Sequence, residues 1–110
     1  MQPIEKNALV QAMAFYNGKQ VYVHLEANPG IFLRNVSLVV EQTFVTGFGP
    51  YRAAIRTSEG GWIRAEGLTD MDTEVPGRLL IAGHDASGRI TAALQIGLKP
   101  FDFEKGGEPA

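Results

Sequence analysis

Two histidines, each close to an acid, are the residues of this chain best suited to hold a metal ion. His24 and Glu26 lie in a stretch that alternates like a β-strand, which places both side chains on one face, about 7 Å apart. His84 and Asp85 stand at the end of a second predicted strand. If the two strands are neighbours, two imidazoles and the carboxylates could coordinate zinc or a similar ion. The alternative is that His24 packs in a half-buried position and that His84 satisfies local hydrogen bonds beside its turn.

A second group of residues, on a predicted hairpin, has the composition of an anion or sugar site. In the expected register Arg52 lies opposite Glu66, and Trp62 and Arg64 occupy the same face. A pair of guanidinium groups can bind a carboxylate or a phosphate, and an aromatic ring can support a sugar. The alternative is a charged outer sheet face, stabilised by ion pairs of small energy.

The remaining sequence carries no recognisable catalytic or cofactor motif. The chain has no cysteine, which excludes disulfides, thiolate catalysis and thiolate-bound metals. Residues 47–50, Gly-Phe-Gly-Pro, lack the third glycine of a phosphate loop and precede a strand, so we expect a turn there. Ser37, Ser58 and Ser87 each lack a nucleophile elbow. We therefore expect no cofactor.

Charge and hydropathy argue against nucleic-acid and membrane partners. The formal net charge is -2, and the lysines and arginines are scattered along the chain instead of forming a basic stripe. The sequence has no leader-like start and no window of about 18 uncharged apolar residues. Because a chain without cysteine needs no oxidising compartment, we expect a cytoplasmic protein.

The strongest local pattern is a β-hairpin over residues 78–98. Its second strand alternates apolar and polar side chains, and Asp85-Ala86-Ser87-Gly88 has the composition of a type I turn. A four-residue loop then makes one face of the hairpin wholly apolar, which favours a single register. The predicted pairs are Gly83 with Ile90, Ile81 with Ala92 and Leu79 with Leu94.

One helix and several further strands complete the expected fold. Pro3 and Gly18 suit the two ends of a helix over residues 3–17. Its apolar stripe, wide enough to lie on a sheet, contains Ile4, Ala8, Ala12 and Phe15, flanked by Leu9, Met13 and Tyr16. A hairpin turning at residues 58–60 is expected, and the acidic stretch 69–77 is predicted to be a solvated loop. Strands are also predicted over 20–26 and 36–45.

These elements predict a mainly β fold, a small antiparallel β-barrel or strongly curved sheet of about six strands with the N-terminal helix 3–17. We expect one domain over residues 1–103 and a flexible tail over 104–110. Four apolar residues on faces predicted to be outer suggest a homodimer. They are Val39, Val45, Leu80 and Ala82.

Four segments of the sequence resemble the YojF family of small bacterial proteins without an assigned activity. They are VYVHLE at 21–26, GPYR at 49–52, GWIRAEGLT at 61–69 and LLIAGHDASGRITAALQ at 79–95. The resemblance implies an all-β fold. It also implies an accessory role in low-molecular-weight thiol metabolism, because members of that family often neighbour a bacillithiol-type sugar deacetylase in the genome.

Two hypotheses about function follow. The first is a non-catalytic interaction or small-ligand-binding module, a homodimer that accompanies a sugar deacetylase and uses Arg52, Trp62, Arg64 and Glu66. The second is a small metal-dependent hydrolase or lyase that uses His24, Glu26 and His84, with Asp85 beside them.

Overall fold

The computed structural model describes residues 1–101 of the chain. It contains one α-helix and eight β-strands, named here in chain order. They are β1 (Gln2–Pro3), α1 (Lys6–Ala14), β2 (Gln20–Ala27), β3 (Ile31–Gly47), β4 (Tyr51–Thr57), β5 (Trp62–Leu68), β6 (Asp70–Asp72), β7 (Arg78–His84) and β8 (Ile90–Gly97). The last two residues of the predicted domain, 102 and 103, and the predicted tail 104–110 lie outside the described residues.

The strands form one antiparallel sheet in the order β1-β6-β7-β8-β2-β3-β4-β5. The mainly β prediction is confirmed, but the expected six strands are eight within the described chain. The two additional strands are short: β1 contains Pro3, which was expected to begin the helix, and β6 lies inside the predicted loop 69–77. Over residues 1–101 the ladder ends at β1 and at β5, so the expected barrel is not formed.

A single residue, Thr69, joins the two ends of this sheet. It separates β5, at one edge, from β6, which pairs with β7 near the other edge. Its backbone N–H donates to the Ala82 carbonyl at 2.9 Å, and its carbonyl accepts from the Ile4 N–H at 3.0 Å. The sheet consequently folds over itself, and β5 contacts β7 and β8 across the interior.

The interior is filled by one face of the sheet and by α1. Val21, Val23, Ile55, Leu79, Ile81, Leu94 and Ile96 point inward, and all are at most 2% exposed. Burial of this much apolar surface is the main stabilising term of such a domain. None of the helices over residues 1–101 is long and apolar enough to cross a membrane.

The helix is shorter than the predicted 3–17, and its buried face is shifted toward the flanking residues of the predicted stripe. Glu5 is its N-cap, and its carboxylate accepts from the backbone N–H groups of Asn7 at 3.1 Å and Ala8 at 3.0 Å. The sheet is covered by Leu9, Met13 and Tyr16, which are buried, whereas Ala8 and Phe15 from the expected stripe are exposed. The shift amounts to one residue around the helix axis.

The hairpin of β7 and β8, called the central hairpin, forms the expected turn, but its strands pair in a different register. The Gly88 N–H donates to the Asp85 carbonyl at 2.9 Å, which confirms the turn. The Asp85 N–H donates to the Arg89 carbonyl, which is the first irregularity relative to the predicted register. A second irregularity lies between Gly83 and His84. Each irregularity moves the register by one residue, so the inward face is preserved. The observed pairs are Leu79 with Ile96, Ile81 with Leu94, Gly83 with Ala92 and His84 with Ile90.

A bulge in β3 changes which of its side chains face outward. The register shifts between Val40 and Gln42, so Val40 and Val45 both face the interior, and Phe44 faces outward. Val45 is therefore not part of the outer apolar set suggested for a homodimer. Ala82 of that set is fully buried, whereas Val39 is exposed and Leu80 is half-buried.

Candidate functional site

The four residues predicted to bind an anion or a sugar lie together on the outer face of β3, β4 and β5. The hairpin turns at residues 58–60 as predicted, and its register pairs Ile55 with Ile63 on the inner face. Arg56 is opposite Trp62 on the outer face. The alternation of the two strands places Arg52, Arg64 and Glu66 on that same outer face.

A shallow groove of about 350 Å³ lies between these side chains. Ala54 forms its floor, since it sits between Phe44 of β3 and Arg64 of β5 in adjacent ladders. The small alanine side chain leaves room that a larger residue would fill. The groove is lined by Phe44, Thr46, Arg52, Ala54, Trp62 and Arg64.

Two aromatic rings form the apolar part of the groove. The rings of Phe44 and Trp62 lie 5.5 Å apart with an angle of 33° between their planes. Trp62 is 58% exposed, so a large apolar ring is presented to solvent on this face. The guanidinium of Arg56 lies 5.8 Å from the Trp62 ring and also pairs with Glu41 at 3.2 Å. Exposed aromatic rings in a concave site are typical of ligand contacts.

Two guanidinium groups line the charged part of the groove, and both pair with the carboxylate of Glu66. Oε2 of Glu66 lies 3.4 Å from Nε of Arg52 and 3.2 Å from Nε of Arg64. All three side chains are about half exposed, so each ion pair contributes at most about 1 kcal/mol to stability. The three charges leave one excess positive charge beside the aromatic rings.

The sequence missed Phe44 as a member of this group. Its apolar neighbours in β3 alternate as if it faced the interior, and the bulge after Val40 reverses that assignment. A β-bulge has no reliable signal in a single sequence, so no pattern could have placed Phe44 beside Trp62.

The predicted metal residues do not come together in one site. His24 is buried, at 3% exposure, and its Nε2 lies 3.3 Å from Oε1 of Glu26 on the same face, as the spacing predicts. The ring is covered by Phe32 and Phe101, whose ring centroids lie 6.2 and 6.3 Å from it. His24 is thus enclosed by aromatic side chains on the outer face of β2.

Phe101 is positioned by a bulge opposite His24. Asn35 has a left-handed backbone with φ of 54°, and its side-chain amide forms two hydrogen bonds with the backbone of Phe101. Nδ2 donates to the Phe101 carbonyl at 2.9 Å, and Oδ1 accepts from the Phe101 N–H at 2.7 Å. These two hydrogen bonds fix the backbone of Phe101 beside β3.

His84 pairs with Asp70 instead of its neighbour in sequence. Nδ1 of His84 lies 2.9 Å from Oδ1 of Asp70, and the Thr69 hydroxyl donates to the same oxygen at 2.6 Å. The Thr69 hydrogen bond, then the contact with His84, lowers the pKa of the Asp70 carboxyl. Asp85 instead closes its own turn, where Oδ1 accepts from the N–H groups of Ser87 and Arg89.

The register also separates the two histidines. His24 pairs with Gln95, Gln95 pairs with Leu80, and His84 lies four residues beyond Leu80. Strand spacing and rise then place His24 and His84 roughly 16 Å apart. Within residues 1–101, no three histidine, aspartate or glutamate side chains gather closely enough to hold a metal ion. The metal hypothesis requires one site, but His24 and His84 belong to two distant pairs.

Comparisons with known proteins agree with one another on the family. A family described as a protein of unknown function (DUF1806) matches residues 3–101. The uncharacterized protein YojF of Bacillus subtilis strain 168 is 36% identical over 115 aligned residues, which cover 92% of this chain and 98% of that protein. The crystal structure of Bacillus subtilis YojF aligns with a TM-score of 0.84 at 37% identity and covers 92% of this chain and 96% of that one.

Proposed function

Because the chain belongs to the DUF1806 family of proteins of unknown function, we propose its function from the geometry of its own groove. The proposal is a non-catalytic module that binds a small organic anion carrying a flat ring or a sugar. The ligand occupies the groove between Trp62 and Phe44 on one side and Arg52 and Arg64 on the other.

A single observation carries this proposal. Two half-exposed guanidinium groups converge on one point, the Glu66 carboxylate oxygen, at the side of a groove with an aromatic wall. Convergent guanidinium groups bind carboxylates and phosphates, and an adjacent ring supplies apolar contact. The same groove holds no arrangement of nucleophile and base, so binding is the chemistry that its described residues support.

Intrinsic fluorescence tests this proposal directly, because Trp62 is the only tryptophan in the chain. We expect phenyl phosphate or glucose 6-phosphate to change the emission of Trp62 in a saturable way. Arg52→Gln and Arg64→Gln should each weaken the binding by about tenfold, since each removes one charged partner of the anion.

Arg89→Gln is the matched control, because Arg89 is an exposed arginine in the turn after β7 and does not line the groove. Its titration should match that of the unmodified protein. An emission that does not respond to either probe, or an equal loss of binding in all three variants, would show that the groove is not the site.

We propose further that the protein accompanies a sugar deacetylase in the cytoplasm, as the YojF resemblance implies. A groove that can take a sugar on Trp62 supports this role. Co-expression of the two proteins should yield a complex on size-exclusion chromatography, and separate elution at high micromolar concentration would contradict it. The exposed Val39 and half-buried Leu80 support the proposed homodimer, which sedimentation would detect as a doubled mass.

A further inference from the structure

We infer that the groove takes a nucleoside monophosphate, with the base on its two aromatic rings and the phosphate on its two guanidinium groups. This inference rests on the proposed binding function and names the class of ligand. It follows from the distance that the sheet sets between the aromatic part and the charged part of the groove.

The outer face of β3, β4 and β5 presents the residues around the groove in rows that run across the strands. Each row is two residues from the next along a strand, which corresponds to roughly 7 Å. The rows are Arg56 with Trp62, then Phe44 with Ala54 and Arg64, and then Thr46 with Arg52. Trp62 and Arg52 therefore lie at opposite ends of the groove.

The two aromatic rings meet over the first and second rows. Phe44 and Trp62 belong to strands that are two strand spacings apart, roughly 10 Å, yet their ring centroids lie 5.5 Å apart. The rings therefore lean towards each other over Ala54, whose side chain is too small to separate them. Trp62 is 58% exposed, so its ring is available for stacking with a flat base.

The two guanidinium groups converge further along the groove, over the second and third rows. Both contact Oε2 of Glu66, which follows Trp62 by four residues on β5, so they meet away from the aromatic rings. Glu66 does not line the groove and contacts each guanidinium at Nε. The Nη atoms carry further N–H donors, so a phosphate can bind beside Glu66 without displacing it.

The spacing between these two parts selects the ligand. The rings and the guanidinium groups are centred about one row apart, so a ligand that uses both must separate its flat ring from its charge by roughly 7 Å. The ribose of a nucleoside monophosphate supplies such a separation. In phenyl phosphate a single oxygen joins the ring to the phosphorus, and a sugar phosphate has no flat ring, so each uses only one part of the groove fully.

The size and the charge of the groove agree with a single nucleotide. Its volume of about 350 Å³ lies at the lower end of the range of small-molecule sites. Arg52, Arg64 and Glu66 together leave one positive charge, which attracts the phosphate. Arg56 pairs with Glu41 at 3.2 Å and lies beside the aromatic end, so it does not compete for the phosphate.

Isothermal titration calorimetry with three probes tests this inference. The probes are adenosine 5′-monophosphate, phenyl phosphate and ribose 5-phosphate, each at about pH 8, where the phosphate is a dianion. We expect the unmodified protein to bind adenosine 5′-monophosphate at least about tenfold more tightly than either of the other probes. The reason is that only this probe reaches the guanidinium groups while its base stacks on Trp62.

Variants of the aromatic part identify the contact with the base. Trp62→Ala should lower the affinity for adenosine 5′-monophosphate to about that for ribose 5-phosphate, which has no base to lose. Trp62→Phe keeps a ring at this position and should retain most of the preference. Phe48→Ala is the matched control and should leave all three affinities unchanged, because Phe48 is an exposed ring that does not line the groove.

Two results would overturn the inference and leave the binding function intact. One is equal affinity of the unmodified protein for adenosine 5′-monophosphate and phenyl phosphate, a comparison that needs no variant. The other is a Trp62→Ala variant that binds adenosine 5′-monophosphate as tightly as the unmodified protein does. Failure of the unmodified protein to bind any of the three probes would overturn the binding function itself.

Discussion

Asp70 shows how a residue far away in sequence can determine the environment of a histidine. The carboxylate lies on β6, and its partner His84 lies 14 residues later on β7. The Thr69 hydroxyl donates to the same carboxylate oxygen, and it also accepts from the His84 backbone N–H at 3.1 Å. The three residues connect the corner between β5 and β6 to the adjacent strand.

Stability should depend on the ionisation of Asp70. Its folded pKa lies below the usual value, because of the Thr69 hydrogen bond first and His84 next. The stabilisation is therefore complete above the unfolded pKa, about 3.9, and is lost as the pH falls through the lower folded value. Asp70→Asn should destabilise the fold by no more than about 1 kcal/mol at pH 7, because the carboxylate is partly exposed.

Urea unfolding at several pH values measures this effect. The difference in free energy of unfolding between Asp70→Asn and the unmodified protein, called the gap, should shrink as the pH falls below about 4. Asp72→Asn is the control: the Asp72 carboxylate accepts from the Glu74 N–H at 2.9 Å, a bond that asparagine can also accept. A gap that stays constant from pH 7 to acid would contradict the assignment of Asp70.

The sheet can fold over itself only where two of its strands approach each other closely. The end of β5 crosses β7 at Gly83, and a Cβ built on Gly83 would overlap the carbonyl oxygen of Gly67. The same Cβ would lie 3.0 Å from Oγ1 of Thr91. Glycine at this position is thus required by the backbone of a neighbouring element, even though its own φ is ordinary.

Gly83→Ala should destabilise the protein by about 1–3 kcal/mol, the usual range for added volume in a packed position. Gly30→Ala is the matched control, because nothing lies within 4 Å of a Cβ at Gly30. Chemical denaturation of the two variants compares them directly. Equal midpoints for Gly83→Ala and Gly30→Ala would show that the crossing can relax without cost.

The whole molecule depends on one connection between the two ends of its sheet. Thr69 connects β5, the edge strand that carries Trp62, to β6, which lies beside β7. The interior is shared, since Ile55 of β4 and Leu79 of β7 belong to one buried cluster with α1. Neither end of the sheet therefore has a core of its own.

A shared core predicts that the chain unfolds in one cooperative transition. Trp62 fluorescence, which reports on β5, should change at the same denaturant concentration as the far-ultraviolet circular dichroism of all strands. Ligand that binds the groove should shift both curves together, because it binds only the folded state. A fluorescence transition that precedes the loss of strand signal would contradict a single unit.

Local patterns in the sequence were enough to predict much of the candidate site. The loop at residues 58–60 determines which residues of β4 and β5 face each other, so Arg52, Trp62, Arg64 and Glu66 could be placed on one face. Phe44 could not, because the bulge in β3 reverses its face, and that bulge lies within the pairing of β3 with β4.

The sequence by itself determined the longer strands, the turn at Asp85–Gly88 and the mainly β class, since alternation and turn chemistry depend on neighbours along the chain. Only the tertiary structure decided the register of the central hairpin, the separation of His24 from His84 and the partnership of Asp70 with His84. Those outcomes depend on bulges and on the folding of the sheet over its core. Their energies come from residues that are distant in sequence, and no local pattern records them.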